Sequence, residues 1–140
     1  MPDAMTKGPV CSATGDPAYS QTMPRTAESA IRARGLVRTV LAAWHLEELS
    51  DPADSVVTEL VGNAADHARG QNIRVTVTRT EQRRVRLAVT DMSKKLPEVR
   101  PFDLDEESGR GLLLVAAMAK EWGVEPLAWG KRVWADLEAP

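Results

Sequence analysis

Cysteine is almost missing from this chain: Cys11 is the single thiol in 140 residues. That excludes an intrachain disulfide and a cysteine-built zinc cluster, and it suits a reducing compartment. Long apolar runs are missing too. The longest, Leu112 to Ala119, falls far short of the roughly 20 residues a bilayer-spanning helix needs. Met1 to Pro24 lacks the hydrophobic core of a secretion signal. A cytoplasmic protein without a membrane segment is the expectation. Neither sign of charge dominates, since 18 Lys and Arg stand against 20 Asp and Glu, a net charge of -2. Arg83, Arg84 and Arg86 fall in a hairpin-like stretch and form no basic helix, so no direct nucleic-acid partner is expected.

What remains is an ordinary globular composition, and a domain of this size buries roughly 68% of its unfolded surface. Residues 1–17 mix Pro, Gly, Ser, Thr and Asp with few large apolar groups and read as a flexible tail. Residues 18–138 read as one domain without internal repeats. Ala18 to Met23 suggests a short edge strand closed by Pro24. Thr26 resembles a helix N-cap, and Ile31, Val37, Val40, Leu41 and Trp44 carry helical spacing to about His45. Ser50-Asp51-Pro52 signals a second helix start, with Gly70 as its stop. Asn72 to Thr80 and Arg83 to Thr90 alternate as an antiparallel hairpin with one covered face. A long polar loop, Met92 to Glu107, follows. Ser108-Gly109-Arg110-Gly111 opens an apolar helix expected to end at Gly123. Val124 to Ala128 and Arg132 to Leu137 read as closing strands.

Chemistry concentrates in Glu59-Leu-Val-Gly-Asn-Ala-Ala-Asp-His67. Glu59, Asn63 and His67 recur every four residues and share one edge of a helix, while Val56, Val57, Leu60, Val61 and Ala64 supply its apolar face. A carboxylate can accept a hydroxyl proton, and an amide oxygen suits Mg²⁺ that carries phosphate ligands. Asp91, at a strand end, can accept a hydrogen bond from an exocyclic amine. A glycine pair at a helix start favours phosphate. Each of these has a plainer alternative. Glu59 also reads as a solvated surface acid, Asn63 as a satisfied edge amide, Asp91 as a turn residue and His67 as a brace of the helix end. Trp44, Trp122, Trp129 and Trp134 read as packing groups, and Lys94 and Lys95 as a solvated loop surface.

Taken in order, these segments resemble the anti-sigma-factor serine/threonine kinases, stand-alone members of the histidine-kinase-like ATPase superfamily with the Bergerat (GHKL) fold. Glu59 to His67 matches the N box, Val89-Thr-Asp91 the start of the first glycine box, and Glu107 to Val115 the second. Trp122-Gly-Val124 and Gly130-Lys-Arg-Val-Trp134 match the ending of the short members. The resemblance covers about Thr22 to Leu137. It implies a two-layer α/β sandwich, with a mixed, mostly antiparallel sheet and helices on one face.

The resemblance also implies a site. Asn63 would hold Mg²⁺, Glu59 would act as base or orient the nucleophile, and Asp91 would pair with the adenine amino group. Gly109 and Gly111 would wrap the phosphates of ATP, with Arg110 nearby. The implied partners are a STAS-type anti-sigma factor antagonist, phosphorylated on Ser or Thr, and a sigma factor, with a homodimer common among relatives. The chain departs from the family pattern in two places. Met92-Ser93-Lys94-Lys95 follows Asp91 where x-Gly-x-Gly is usual, so that Ser93 stands at the first glycine position. Arg132 stands where many relatives carry a threonine that assists the aspartate, and is expected to crowd the base or replace that contact. A non-catalytic binding module of the same fold is the alternative these departures raise.

Overall fold

The computed structural model describes residues 10–11, 15–67, 70–91 and 106–140. Strands β1 (Val10–Cys11) and β2 (Pro17–Pro24) lead into helix α1 (Ser29–Ala43). A short 3₁₀ turn (Glu47–Leu49) then joins helix α2 (Ser50–His67), followed by strands β3 (Asn72–Glu81) and β4 (Arg84–Asp91). Helix α3 (Glu106–Met118) and strands β5 (Glu121–Leu127) and β6 (Gly130–Glu138) complete the order. The six strands form one sheet in the order β1-β2-β3-β4-β6-β5. Every described pair is antiparallel, so the sheet goes beyond the mixed, mostly antiparallel expectation. The α/β sandwich with its helices on one face is as expected.

The period-2 alternation of the central strands is what builds the layers. Ile73, Val75 and Val77 of β3, Val85, Leu87 and Val89 of β4, and Val133, Ala135 and Leu137 of β6 are all buried. They face Leu36, Val37, Val40 and Leu41 of α1 and Val56, Val57, Leu60 and Val61 of α2 in one core cluster. Each fully buried Val or Leu contributes about 1.5–3 kcal/mol, which is ample to hold two helices whose propensity alone is weak.

The opposite face of the sheet is polar. There the Arg86 guanidinium lies 3.9 Å from the Trp134 ring centroid. The ring's other neighbour is Gly123, where an added Cβ would sit 2.9 Å from it. Asp136, opposite Arg86 in the register, is 2% exposed. It accepts hydrogen bonds from Arg84 at 2.8 Å and Arg86 at 2.7 Å.

Several boundaries differ from expectation. α1 begins at Ser29, not beside Thr26, because the Ser29 hydroxyl donates to the Pro24 carbonyl at 2.6 Å and folds the intervening residues into a turn. α3 ends at Met118, and Trp122 and Gly123 belong to β5. There the Lys120 N–H donates to the Asp136 carbonyl at 2.8 Å and Trp122 pairs with Ala135. Pairing with β6 thus wins over the helical period of the preceding residues. Val10–Cys11, inside the stretch expected to be a tail, pairs with Ala18 and Pro17, so β2 is not the edge strand. Residues 1–9, 12–14, 68–69 and 92–105 lie outside the described residues, and with them most of the stretch expected to be a long loop, including Met92, Ser93, Lys94 and Lys95. Among the described residues no helix is long and apolar enough to cross a membrane.

Candidate functional site

α2 starts where its sequence signal places it, at Ser50-Asp51-Pro52, proline being tolerated in a first turn. Its apolar stripe faces the sheet, which leaves Glu59 and Asn63 half-buried along one edge. Two polar ties to α1 fix its rotation: Arg34 Nη1 donates to Thr58 Oγ1 at 3.0 Å, and Arg38 pairs with Asp54. Thr58 in turn donates to the Asp54 carbonyl at 2.7 Å. Because α2 and α1 are pinned in this way, the Glu59–Asn63 edge keeps a fixed direction.

Asp91 closes β4 and is 7% exposed. Its strand neighbour is Ile73, at the start of β3, and α2 leads directly into β3. The C-terminal half of α2 and Asp91 therefore meet at one end of the sheet. β5 runs in the same direction as β4, since both are antiparallel to β6. α3 connects these two like-directed strands, so its N-terminal half returns to the same end. Topology thus gathers the Glu59–Asn63 edge, Asp91 and the glycine segment at one rim.

Gly130 belongs to this rim as well. A Cβ there would run into the Asp91 carbonyl oxygen, and it would stand 3.2 Å from the carbonyl carbon. The β5–β6 turn therefore lies directly on the aspartate's backbone, an approach only glycine permits. The sequence carried the signal, because a glycine opening a strand often marks close backbone contact.

The glycines of the second box sit differently from expectation. Gly109 and Gly111 lie inside α3, which begins at Glu106. The amides left without a helical partner are those of the first turn, before Gly109. The side chains of His67, Glu106, Glu107, Ser108 and Arg110 lie outside the described residues. Arg132 also differs from expectation. It sits opposite Thr90 on the helix-free face, with Nε 3.4 Å from Thr90 Oγ1 and Nη1 3.1 Å from Glu125. By strand alternation Arg132 lies on the face opposite the one that carries Asp91. By the same alternation Lys131 shares the Asp91 face, a placement the sequence reading missed.

At the end of α2, Arg25 donates from Nη1 to the Ala65 carbonyl at 2.6 Å and from Nε to the Gly70 carbonyl at 2.7 Å. Its backbone N–H donates to the Gln71 carbonyl at 2.9 Å. Nothing in the sequence pattern marks this residue. Among the described residues no group of three His, Cys, Asp or Glu side chains is placed to hold a metal.

Comparison with known proteins agrees with this architecture. An uncharacterized protein of Streptomyces coelicolor is 36% identical over 72 residues, covering 49% of this chain and 69% of that one. The histidine kinase-like ATPase domain family matches residues 23–135. That span takes in α1, α2, the hairpin, α3 and β5, and ends within β6. The chain belongs to the histidine kinase-like ATPase domain family.

Proposed function

We propose that this domain is an ATP-binding regulator of the anti-sigma-factor type. In this role it transfers the γ-phosphoryl group of Mg-ATP to a serine or threonine of a STAS-type antagonist and sequesters a sigma factor in its other state. Family membership supports the ATP-binding regulatory part. The observation that supports phosphoryl transfer is the convergence of the half-buried Asn63–Glu59 edge and the buried Asp91 at one sheet end; the partners rest on the motif resemblance.

The donor set suits the group. Mg²⁺ keeps several waters and takes phosphate oxygens, so one protein amide oxygen, that of Asn63, is a sufficient anchor. Asp91 accepts a hydrogen bond from the adenine amino group, and burial makes that hydrogen bond selective. Bound Mg²⁺ would neutralise charge developing on the phosphates. Glu59 takes the proton of the acceptor hydroxyl as its oxygen bonds to the γ-phosphorus and the bond to the β-phosphate oxygen breaks. Gly109, Arg110 and Gly111 contribute once the start of α3 reaches the phosphates.

The test combines titration of a fluorescent ATP analogue with phosphotransfer to a cognate antagonist. Asn63→Ala is expected to lose Mg-dependent binding by about tenfold or more, since even the loss of a group that only supports a metal ligand costs about 10–100-fold. Glu59→Ala is expected to keep binding and lose transfer by roughly 10²–10⁴-fold. Unchanged transfer by both variants refutes these roles.

A non-catalytic docking module is the second reading, favoured by one observation: Gly109 and Gly111 lie within α3. Absence of saturable Mg-dependent binding in the wild type decides for it.

A further inference from the structure

We infer that Arg25 is a positioning residue for the nucleotide site, one that sets the distance between the Asn63 edge of α2 and the Asp91 end of β4. The inference rests on the proposed nucleotide reading and adds to it a residue that touches neither metal nor base.

Apolar packing leaves one coordinate of α2 undetermined. The buried face of α2 is made of Ala53, Val56, Val57, Leu60, Val61 and Ala64, and such contacts are non-directional. They hold the helix on the sheet but specify its position along its own axis only loosely. Arg38–Asp54 and Arg34–Thr58 fix α2 against α1, not against the sheet end. At the C-terminal end of α2 the last four carbonyls have no helical partner, and Ala65 carries one of them.

Arg25 answers both needs. Its guanidinium spans the connection between α2 and β3, with one nitrogen on the Ala65 carbonyl and another on the Gly70 carbonyl. A cation at a helix C-terminus is favourable, and the rigid fork fixes two acceptors at once. Ala65 lies two residues beyond Asn63. Gly70 lies three residues before Ile73, the strand partner of Asp91. The clamp therefore bridges the stretch of chain that separates the metal-side residue, Asn63, from the strand partner of the base-side residue, Asp91. The anchor itself is firm: Arg25 follows β2, where Pro24 and Met23 pair with Asn72 and Ile73, and its own N–H reaches Gln71.

A lysine keeps the charge at the helix end, but its single ammonium cannot reproduce the fork. Arg25→Lys should therefore recover stability better than it recovers binding, a split that a merely structural role does not produce.

The experiment uses the full chain as wild type, Arg25→Ala, Arg25→Lys and Val85→Ala. The last is a core control at the end of β4 remote from Asp91. Each is titrated with a fluorescent ATP analogue and Mg²⁺, its thermal midpoint is recorded, and amide hydrogen exchange is followed. Both Arg25 variants are expected to lose affinity by about tenfold, since small misplacements of binding groups are costly. Arg25→Lys is expected to melt close to the wild type, and Val85→Ala to bind within about twofold of wild type despite melting earlier. Exchange should quicken at the end of α2 and the start of β3 in the Arg25 variants, and stay unchanged in β6.

Wild-type affinity in Arg25→Lys, or a loss in Arg25→Ala no greater than in Val85→Ala, overturns the inference. A wild type that binds no nucleotide brings down the proposed function, and exchange then decides alone. Faster exchange at the α2–β3 connection keeps the clamp, and unchanged exchange removes it.

Discussion

At the scale of single residues, the rim is organised by backbone contact as much as by side chains. Gly130 rests on the Asp91 carbonyl, so the aspartate's position depends on a residue that has no chemistry of its own. Adding a methyl at Gly130 drives a Cβ into the Asp91 backbone, which has little freedom to give way. Gly130→Ala is expected to lose about 1–3 kcal/mol, as overpacked sites do, read as a lower urea midpoint. On the proposed function it also weakens nucleotide binding through Asp91. Gly123→Ala is the comparison, because there the obstruction is the Trp134 ring, a side chain with some freedom to turn. A Gly130→Ala midpoint equal to that of the wild type would falsify the claim that this contact is tight.

At the scale of elements, the helices retain slack. Gly35 lies inside α1 with open space where a Cβ would stand. Gly35→Ala should therefore stabilise the protein by up to about 1 kcal/mol, seen as a rise in thermal midpoint of roughly 2–4 °C. No rise, or a fall, means that the glycine serves some contact outside α1.

The same elements show which features the sequence made legible. The hairpin was plain from the alternation of Ile73, Val75 and Val77 with polar neighbours, since one covered sheet face imposes period 2. α2 was plain because Ser50-Asp51-Pro52 is a local start signal and its apolar stripe is unbroken. The end of α3 was not. Leu112, Val115, Ala119 and Trp122 keep helical spacing, yet the Lys120 amide and Trp122 answer to β6, and no local pattern reports a distant strand. The rim behaves similarly. Its residue types stood in recognisable motifs, whereas their meeting place follows from strand order. The Arg25 contacts join residues 40 and 45 positions apart, with no periodic signature to betray them.

For the whole molecule, electrostatics divides between a network insensitive to ordinary pH and a tie that responds to acid. Hydrogen bonding to Asp136 raises Arg84 and Arg86 above their ordinary value. A raised cation gives stability that is complete below its unfolded pKa and lost only above it. That part of the fold is therefore constant through neutral pH. Glu138 is the opposite case: its hydrogen bond with Lys120, 2.9 Å away, lowers the carboxyl below the usual glutamate value. A lowered acid stabilises above its unfolded pKa, and that contribution disappears as pH falls through the folded value. Between about pH 6 and pH 3 the wild type should thus lose more stability than Glu138→Gln. The gap should narrow in salt, because the pair is exposed and screened. Urea midpoints measured across that range check this, and parallel pH profiles for the two proteins remove Lys120–Glu138 from the account.

The order β4-β6-β5 has a consequence for how the protein is made. The last of the described strands is an interior one, laid between two strands synthesised before it. Until Glu138 has left the ribosome, β4 and β5 have no shared partner and the buried faces of Leu87 and Val89 lack their neighbours Ala135 and Val133. A nascent chain can assemble its helices and hairpin early, but the layer beneath them stays split. Closure of the sheet between β4 and β5 therefore waits for the nine residues of β6, which enter last of the described strands.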